Sequence, residues 1–321
     1  MTDYIQDFKS KIDETSVRKD FPEITDTEIP VWQGNPSFLS MVDKYVLAIL
    51  VFGLHILFFI AEQFDSPEGD GQLNAIVSLM RAIINVSGTM GFVIAVFFLA
   101  KINHYANFST SGRWTTTWLV ITGLVPFTWY TMDVASMIGG FVGSDFDNPL
   151  PVWNNLWFLP LGIISSTMMI ILTFIYQHAF QYAITDRRIH IRKSFLIVNS
   201  SVHGIAFDKV ENLKANPSIL GRIFGFGNVH ILTASGLGLQ HDSFGSSVGV
   251  GQEMSNAAPG GLSKIFSLMF GWVTKQRQRT SVGQDPADCL YGVRNPMKIY
   301  RLINELMDAN AALSQNNTNS D

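Results

Sequence analysis

Apolar runs of membrane-spanning length fill the first half of the chain, and a different rhythm takes over behind them. Residues 156–176, LWFLPLGIISSTMMIILTFIY, hold 21 consecutive uncharged positions. As a helix rising about 1.5 Å per residue they reach roughly 30 Å, the thickness of a bilayer's hydrocarbon layer. Residues 45–61, 82–100 and 114–132 are shorter uncharged runs of the same kind. Asn85, Ser87, Gly88, Thr89 and Gly91 dilute the second, and Pro126 predicts a kink in the third. Past residue 178 the period changes to two: Tyr182, Ile184, Ile189 and Ile191 alternate with polar neighbours around a turn at Thr185-Asp186-Arg187-Arg188. The pattern predicts four transmembrane helices handing over directly to a β domain. Short strands are expected over 180–185, 189–193, 195–198, 202–207, 210–213, 229–233 and 289–293, with a turn at Asn216-Pro217. A helix is expected to close the chain, capped by Asn295 and started by Pro296. Its stripe of Ile299, Leu302, Ile303, Leu306 and Ala309 must be buried, most economically on the open end of the preceding sheet.

Charge sharpens this outline. Only 15% of residues are charged, well below the roughly 25% of an average soluble domain, and a net charge of -4 argues against a nucleic-acid partner. Lys44, Lys101, Arg113 and the cluster Arg187, Arg188, Arg192 and Lys193 flank the predicted helices on one side. Glu62, Asp65, Glu68, Asp70, Asp145 and Asp147 fall on the other. The positive-inside rule then predicts a multi-pass cell-membrane protein with both termini cytoplasmic. Residues 1–22 are polar and mixed in charge, unlike a cleavable signal. The expected organisation is a cytoplasmic tail over 1–43, a membrane region over 44–178, a β domain over 179–312 and a disordered tail over 313–321. The single cysteine, Cys289, excludes an internal disulfide.

Three stretches carry a resemblance: YAITDRRIHIRKS, IAFDKVENLKANPSILGRIFGFGNVHI and YGVRNPMKIYRLINEL. They resemble the bacterial and archaeal pleckstrin-homology (PH) domains found on small membrane proteins. In that family an early YxxTxxR-type hairpin precedes a DxVxxL segment, an RxFGxGxV turn and a proline-started helix. Tyr182, Thr185, Arg188, Val210, Arg222, Phe224, Gly225, Gly227, Val229 and Pro296 match that pattern, and Gly34-Asn35-Pro36-Ser37 looks like the NPS box before the family's membrane helices. The resemblance, with the order of strands followed by one helix, implies an α+β membrane protein. Its four-helix transmembrane region would be followed by a cytoplasmic PH-like β-barrel capped by a C-terminal helix. Residues 236–286 depart from the pattern as a long insertion, Gly/Ser-rich at first and strongly apolar over 262–273.

Candidate chemistry is sparse. HExxH, GxSxG and Walker patterns are absent, and His190, His203, His230 and His241 share no ligand spacing. No enzyme activity, metal or cofactor is therefore expected. His55 and Asp133 are polar positions in or near the apolar runs, readable as an ion path or as an interhelical hydrogen bond and an interface residue. Arg187, Arg188, Arg192 and Lys193 are candidate head-group contacts or a flank that fixes topology. Lys275, Arg277 and Arg279 form a second basic group behind Leu262, Ile265, Phe266, Met269, Phe270, Trp272 and Val273. That apolar segment has three readings: an interfacial helix, a contact between subunits or partners, or packing within the domain. The expected function is a membrane-anchored scaffold or adaptor that organises self-association or membrane-protein partners. The alternatives are a module sensing anionic phospholipids and a subunit of an oligomeric channel or transporter.

Overall fold

The computed structural model describes residues 3–63, 72–105, 113–143, 148–195, 199–234, 239–243, 278–282 and 286–318, and the account below concerns those residues. Four long helices, α3 (Val42–Gln63), α4 (Gln72–Tyr105), α5 (Arg113–Val142) and α6 (Phe158–His178), pack as an up-and-down bundle. The directions follow from the partners. Phe58 and Phe92 on α3 and α4 stack edge to face, and both meet Phe158 on α6. At the other end Leu47, Ala100, Leu119 and Met169 form one cluster. Gly88 breaks α4 with a non-helical backbone. Between the helices polar side chains pair with one another: Thr122 Oγ1 lies 2.6 Å from Ser165 Oγ, and Asn103 Nδ2 donates to Thr115 and Thr116 hydroxyls at 3.1 and 2.9 Å. Such pairing satisfies groups that lipid cannot.

Three of these helices, over Phe38–Ala61, Asn74–His104 and Asn155–His178, are long and apolar enough to cross a membrane. They turn Ile49, Phe98 and Ile164 outward. The expected four-helix transmembrane region is corrected on this point. α5 runs back along α4, but Thr115, Thr116, Thr117, Thr122, Thr128, Thr131 and Asp133 dilute its apolar stretch.

The N-terminal segment, expected as a tail, is built into the domain. Its helices are α1 (Asp3–Lys9) and α2 (Glu14–Asp20); Asp13 caps α2 by accepting from Thr15 N, with Glu14 at its start and Arg18 and Lys19 at its end. Strand β1 (Pro30–Gly34) follows and pairs antiparallel with β2 (Phe180–Thr185), which itself continues from α6. β2 then pairs with β3 (Arg188–Phe195), and β3 with β4 (Asn199–Ala206). The second sheet is β5 (Val210–Asn216), β6 (Phe226–Thr233) and β9 (Cys289–Arg294), with the short helix α7 (Ile219–Phe224) joining β5 to β6. A two-stranded ladder, β7 (Leu239–Ser243) with β8 (Gln278–Val282), belongs to the insertion. The chain closes with α8 (Pro296–Thr318).

These sheets are open, so the expected PH-like β-barrel is corrected as well. Among the described residues β4 pairs only with β3 and β5 only with β6, because a 3-10 turn at Phe207–Lys209 separates them. β1 occupies the edge of β2 that another strand would need for closure. The sheets instead face each other across one core. Phe180, Tyr182, Ile184, Ile189 and Ile191 come from the first sheet, Val229, Ile231, Leu290 and Val293 from the second, and the α8 stripe of Ile299, Leu302, Ile303 and Leu306 covers them. The opposite face of the first sheet is covered too, by Val17, Phe21 and Ile24 packed over Ala183.

Phe21 is fully buried, and deleting a buried aromatic ring costs about 3–5 kcal/mol. The Phe21→Ala variant is expected to expose the outer face of β2 and β3. Hydrogen exchange should accelerate over residues 13–34 and leave the α3–α6 bundle protected.

Candidate functional site

Where the domain meets the bundle, backbone and side-chain hydrogen bonds tie the two together. The Gly34-Asn35-Pro36-Ser37 stretch lies between β1 and a 3-10 turn at Phe38–Met41 that leads straight into α3. Gln177, near the end of α6, donates from Nε2 to Pro36 O at 3.1 Å. Ser37 N donates to Gly292 O at 2.8 Å, Tyr291 OH to Ser40 O at 3.0 Å, and Gly292 N to Asn228 Oδ1 at 2.8 Å. Gly292 has a φ of 60°, and a Cβ there would overlap the Ser40 side chain; both facts call for glycine. Lys44, in the first turn of α3, is fully buried, with Nζ 3.2 Å from Asp43 and 5.8 Å from the centre of the Tyr176 ring. Met41 and Tyr176 belong to the domain core itself, so bundle and domain share one packed interior.

A second cluster lies on the outer face of the first sheet. Glu28, just before β1, is 1% exposed. Its carboxylate accepts from Thr25 Oγ1 at 3.0 Å, stands 3.0 Å from both Thr185 Oγ1 and His190 Nε2, and lies 3.8 Å from Arg188 Nε. Burial works against its charge. The hydrogen bonds of His190, Thr185 and Thr25, together with the charge of His190, outweigh that and hold the carboxyl below its usual pKa. The Asp186 turn is clamped from two sides, by Ile29, whose N–H donates to Asp186 Oδ1 at 2.8 Å, and by Asn310 Nδ2, which donates to Asp186 O at 2.7 Å.

The structure distributes the basic group predicted for head-group contact. Arg188 turns to Glu28, and Arg192 Nη1 donates to the Asp20 carbonyl. Arg187 stays exposed with Nε 4.0 Å from Asp186, and Lys193 Nζ sits 5.7 Å from the centre of the Phe180 ring. Arg192 also lines a shallow surface cleft with Lys19, Asp20, Gln181 and Ser194, beside His178 at the end of α6. His55 is 1% exposed. It lies 2.8 Å from Val51 O through Nδ1 and is enclosed by Phe92, Phe158 and Gly162. Asp133 accepts from Asn148 Nδ2 at 2.6 Å on the exposed surface. The two are not brought together. Leu262, Ile265, Phe266, Met269, Phe270, Trp272, Val273, Lys275 and Arg277 lie outside the described residues, as does the Arg279 side chain. Among the described residues no group of three or more His, Cys, Asp or Glu could hold a metal ion.

Sequence reasoning missed Glu28 and the segment that carries it. The only signal was a short apolar pattern at Val17, Phe21 and Ile24, too sparse to separate from a polar tail.

A family model described as Bacterial PH domain matches residues 134–249, just over a third of the chain. The match supports membership in that family. It takes in the end of α5, α6 and the elements from β2 to β7, and stops short of β8, β9 and α8. No curated protein and no solved structure matches the chain.

Two outcomes test this geometry. Gly292→Val forces a β-branched side chain into a positive-φ position against Ser40, and is expected to cost about 2–4 kcal/mol, read as a lower melting temperature in detergent. For Glu28 the folded pKa lies below the ordinary 4.5, so the unfolded chain takes up the proton first. The stabilisation is full above the unfolded value and is lost as pH falls from there through the folded one. Thermal unfolding between pH 7 and pH 3 should therefore decline more steeply for the native chain than for Glu28→Gln.

Proposed function

We propose that this chain is a membrane-anchored, non-enzymatic scaffold or adaptor. Its bacterial-PH-like domain organises copies of itself or other membrane proteins at the cytoplasmic face. The observation that supports this most is the shared core of bundle and domain, with Met41 and Tyr176 packed among the sheet residues. A domain fixed in this way cannot swing to search for ligands. It suits the display of a constant surface at constant height. The two open sheets add edges that can accept a further strand; Val202 on β4 is 46% exposed. The excess of Lys and Arg beside the ends of the apolar runs that adjoin the domain supports a cytoplasmic placement.

A second reading, recognition of anionic phospholipid, is favoured by the cleft that places Lys19 and Arg192 beside the end of α6.

Co-expression of tagged and untagged copies tests the scaffold reading. Capture of the tagged copy from detergent or nanodiscs is expected to retain the untagged one. Val202→Lys on the β4 edge should weaken that retention by about tenfold or more, a loss of roughly 1.4 kcal/mol or more in association free energy. A strictly monomeric protein with no cross-linked protein neighbour in its native membrane would sink the reading. Vesicle flotation that depends on anionic lipid and on Arg192 would replace it with the second.

A further inference from the structure

The helix α7 is folded inside out. Of its six residues, ILGRIF, four are apolar and exposed: Ile219 at 81%, Leu220 at 43%, Ile223 at 70% and Phe224 at 56%. Their spacing of i, i+1, i+4 and i+5 puts them on one face. The residue turned inward is Gly221, where a Cβ would overlap Phe226 O. The helix therefore lies flush against the start of β6 through a residue with no side chain. Its apolar face has nowhere to go but out. Ser218 caps the helix from its side chain to Gly221 N at 3.0 Å, and Gly225 ends it at a φ of 73°. Both ends are thus fixed by the chain's own chemistry.

Two further observations say what this face meets. The first is position. Gly225 O accepts from Asn295 N at 2.8 Å, and Phe226 pairs with Arg294. Two residues back from Arg294 along the same strand, Gly292 is bonded to Ser37, immediately before the first candidate span begins at Phe38. At about 3.3 Å per residue, α7 lies within roughly 10–15 Å of that start. Phe38, where that span begins, and Met297, next to the Pro296 that packs on Gly227, are exposed apolar residues as well. The second is charge. The stretches that meet here, 212–228 and 289–300, hold Lys214, Arg222, Arg294 and Lys298 and no Asp or Glu. All four basic residues are exposed and none has an ion pair among the described residues.

We propose that α7 is a membrane foot. Ile219, Leu220, Ile223 and Phe224 enter the boundary between head groups and acyl chains of an anionic leaflet, while Arg222, Arg294 and Lys298 engage its phosphates. An apolar face rimmed by cations is what such a surface binds. The foot would set the tilt of a domain already tethered at the Ser37–Gly292 contact. It rests on the membrane location alone, not on self-association, so retention of an untagged copy tests the scaffold separately.

The single native cysteine, Cys289, is fully buried, so a cysteine introduced at an exposed position can be labelled selectively. The full-length Ile223→Cys variant carries a nitroxide in vesicles of phosphatidylcholine with or without phosphatidylglycerol, and Lys209→Cys, exposed on the turn between β4 and β5, serves as comparison. Collision with oxygen is expected to exceed collision with a water-soluble nickel chelate at residue 223, with the order reversed at residue 209. Removing phosphatidylglycerol, or introducing Arg222→Glu with Arg294→Glu, should shift residue 223 toward the chelate. A label at 223 open to the chelate in both vesicles, or reached by neither reagent because protein covers it, overturns the proposal. Oxygen contact indifferent to phosphatidylglycerol overturns its anionic part.

Discussion

The whole arrangement depends on one strand pairing. β1 comes just before the first helix of the bundle and β2 just after the last, and the two are hydrogen-bonded neighbours in one sheet. The start of α3 and the end of α6 are therefore held at the same place, and the bundle must return the chain to where it left. Gln177 bonding to Pro36 and Ser37 bonding to Gly292 are consequences of that closure, because they link segments far apart in sequence that the sheet has already brought together. Backbone pairing sets the distance. The side chains then fix the angle, since the Gly292 contact with Ser40 tolerates no added volume.

The same pairing explains why charges predicted to face solvent or lipid are drawn inward. Once β1 is in place, the segment before it must cross the outer face of the sheet. Phe21 and Ile24 bury apolar area there, and Glu28 is carried in with them. A buried carboxylate is costly unless it is bonded and paired. Thr25, Thr185 and His190 supply the bonds, and Arg188 approaches from the rim. Arg192 is likewise spent on the Asp20 carbonyl. Two of the four basic residues in the early hairpin thus help hold the N-terminal segment down, which leaves Arg187 the more exposed of the three arginines.

Much of the local structure was legible. Uncharged runs gave the helices, period-two alternation gave the hairpin around Asp186, and the stripe from Ile299 to Leu306 gave the closing helix and its burial. Asn295 occupies the expected position before α8, though it works through its backbone. At a φ of 51° its carbonyl accepts from Lys298 N and Ile299 N. What could not be read was long-range pairing. PVWQG is too short and too mixed to announce a strand, and its partner is about 150 residues away along the chain. For the same reason the barrel was expected in error, because nothing local in the strand pattern records that an outside strand has taken the edge of β2. α5 failed differently: its length is that of a span, but threonines dilute its apolarity along the run.

The residues that carry the family resemblance divide according to what the structure asks of them. Tyr182 is fully buried with its hydroxyl on Pro286 O, Thr185 ties the hairpin turn, and Val229 is core. Gly225 needs its positive φ, and a side chain at Gly227 would press on Pro217 and Pro296. Each of these is explained by folding. Arg222 and Phe224 are not, since both stand exposed on α7. An exposed phenylalanine gives up the burial that every core residue here obtains, so its stabilisation must come from outside the folded chain or not at all. With the first candidate span starting at Phe38 across the Gly292 contact, the large apolar phase within reach is the bilayer that a helix of that length and composition can enter.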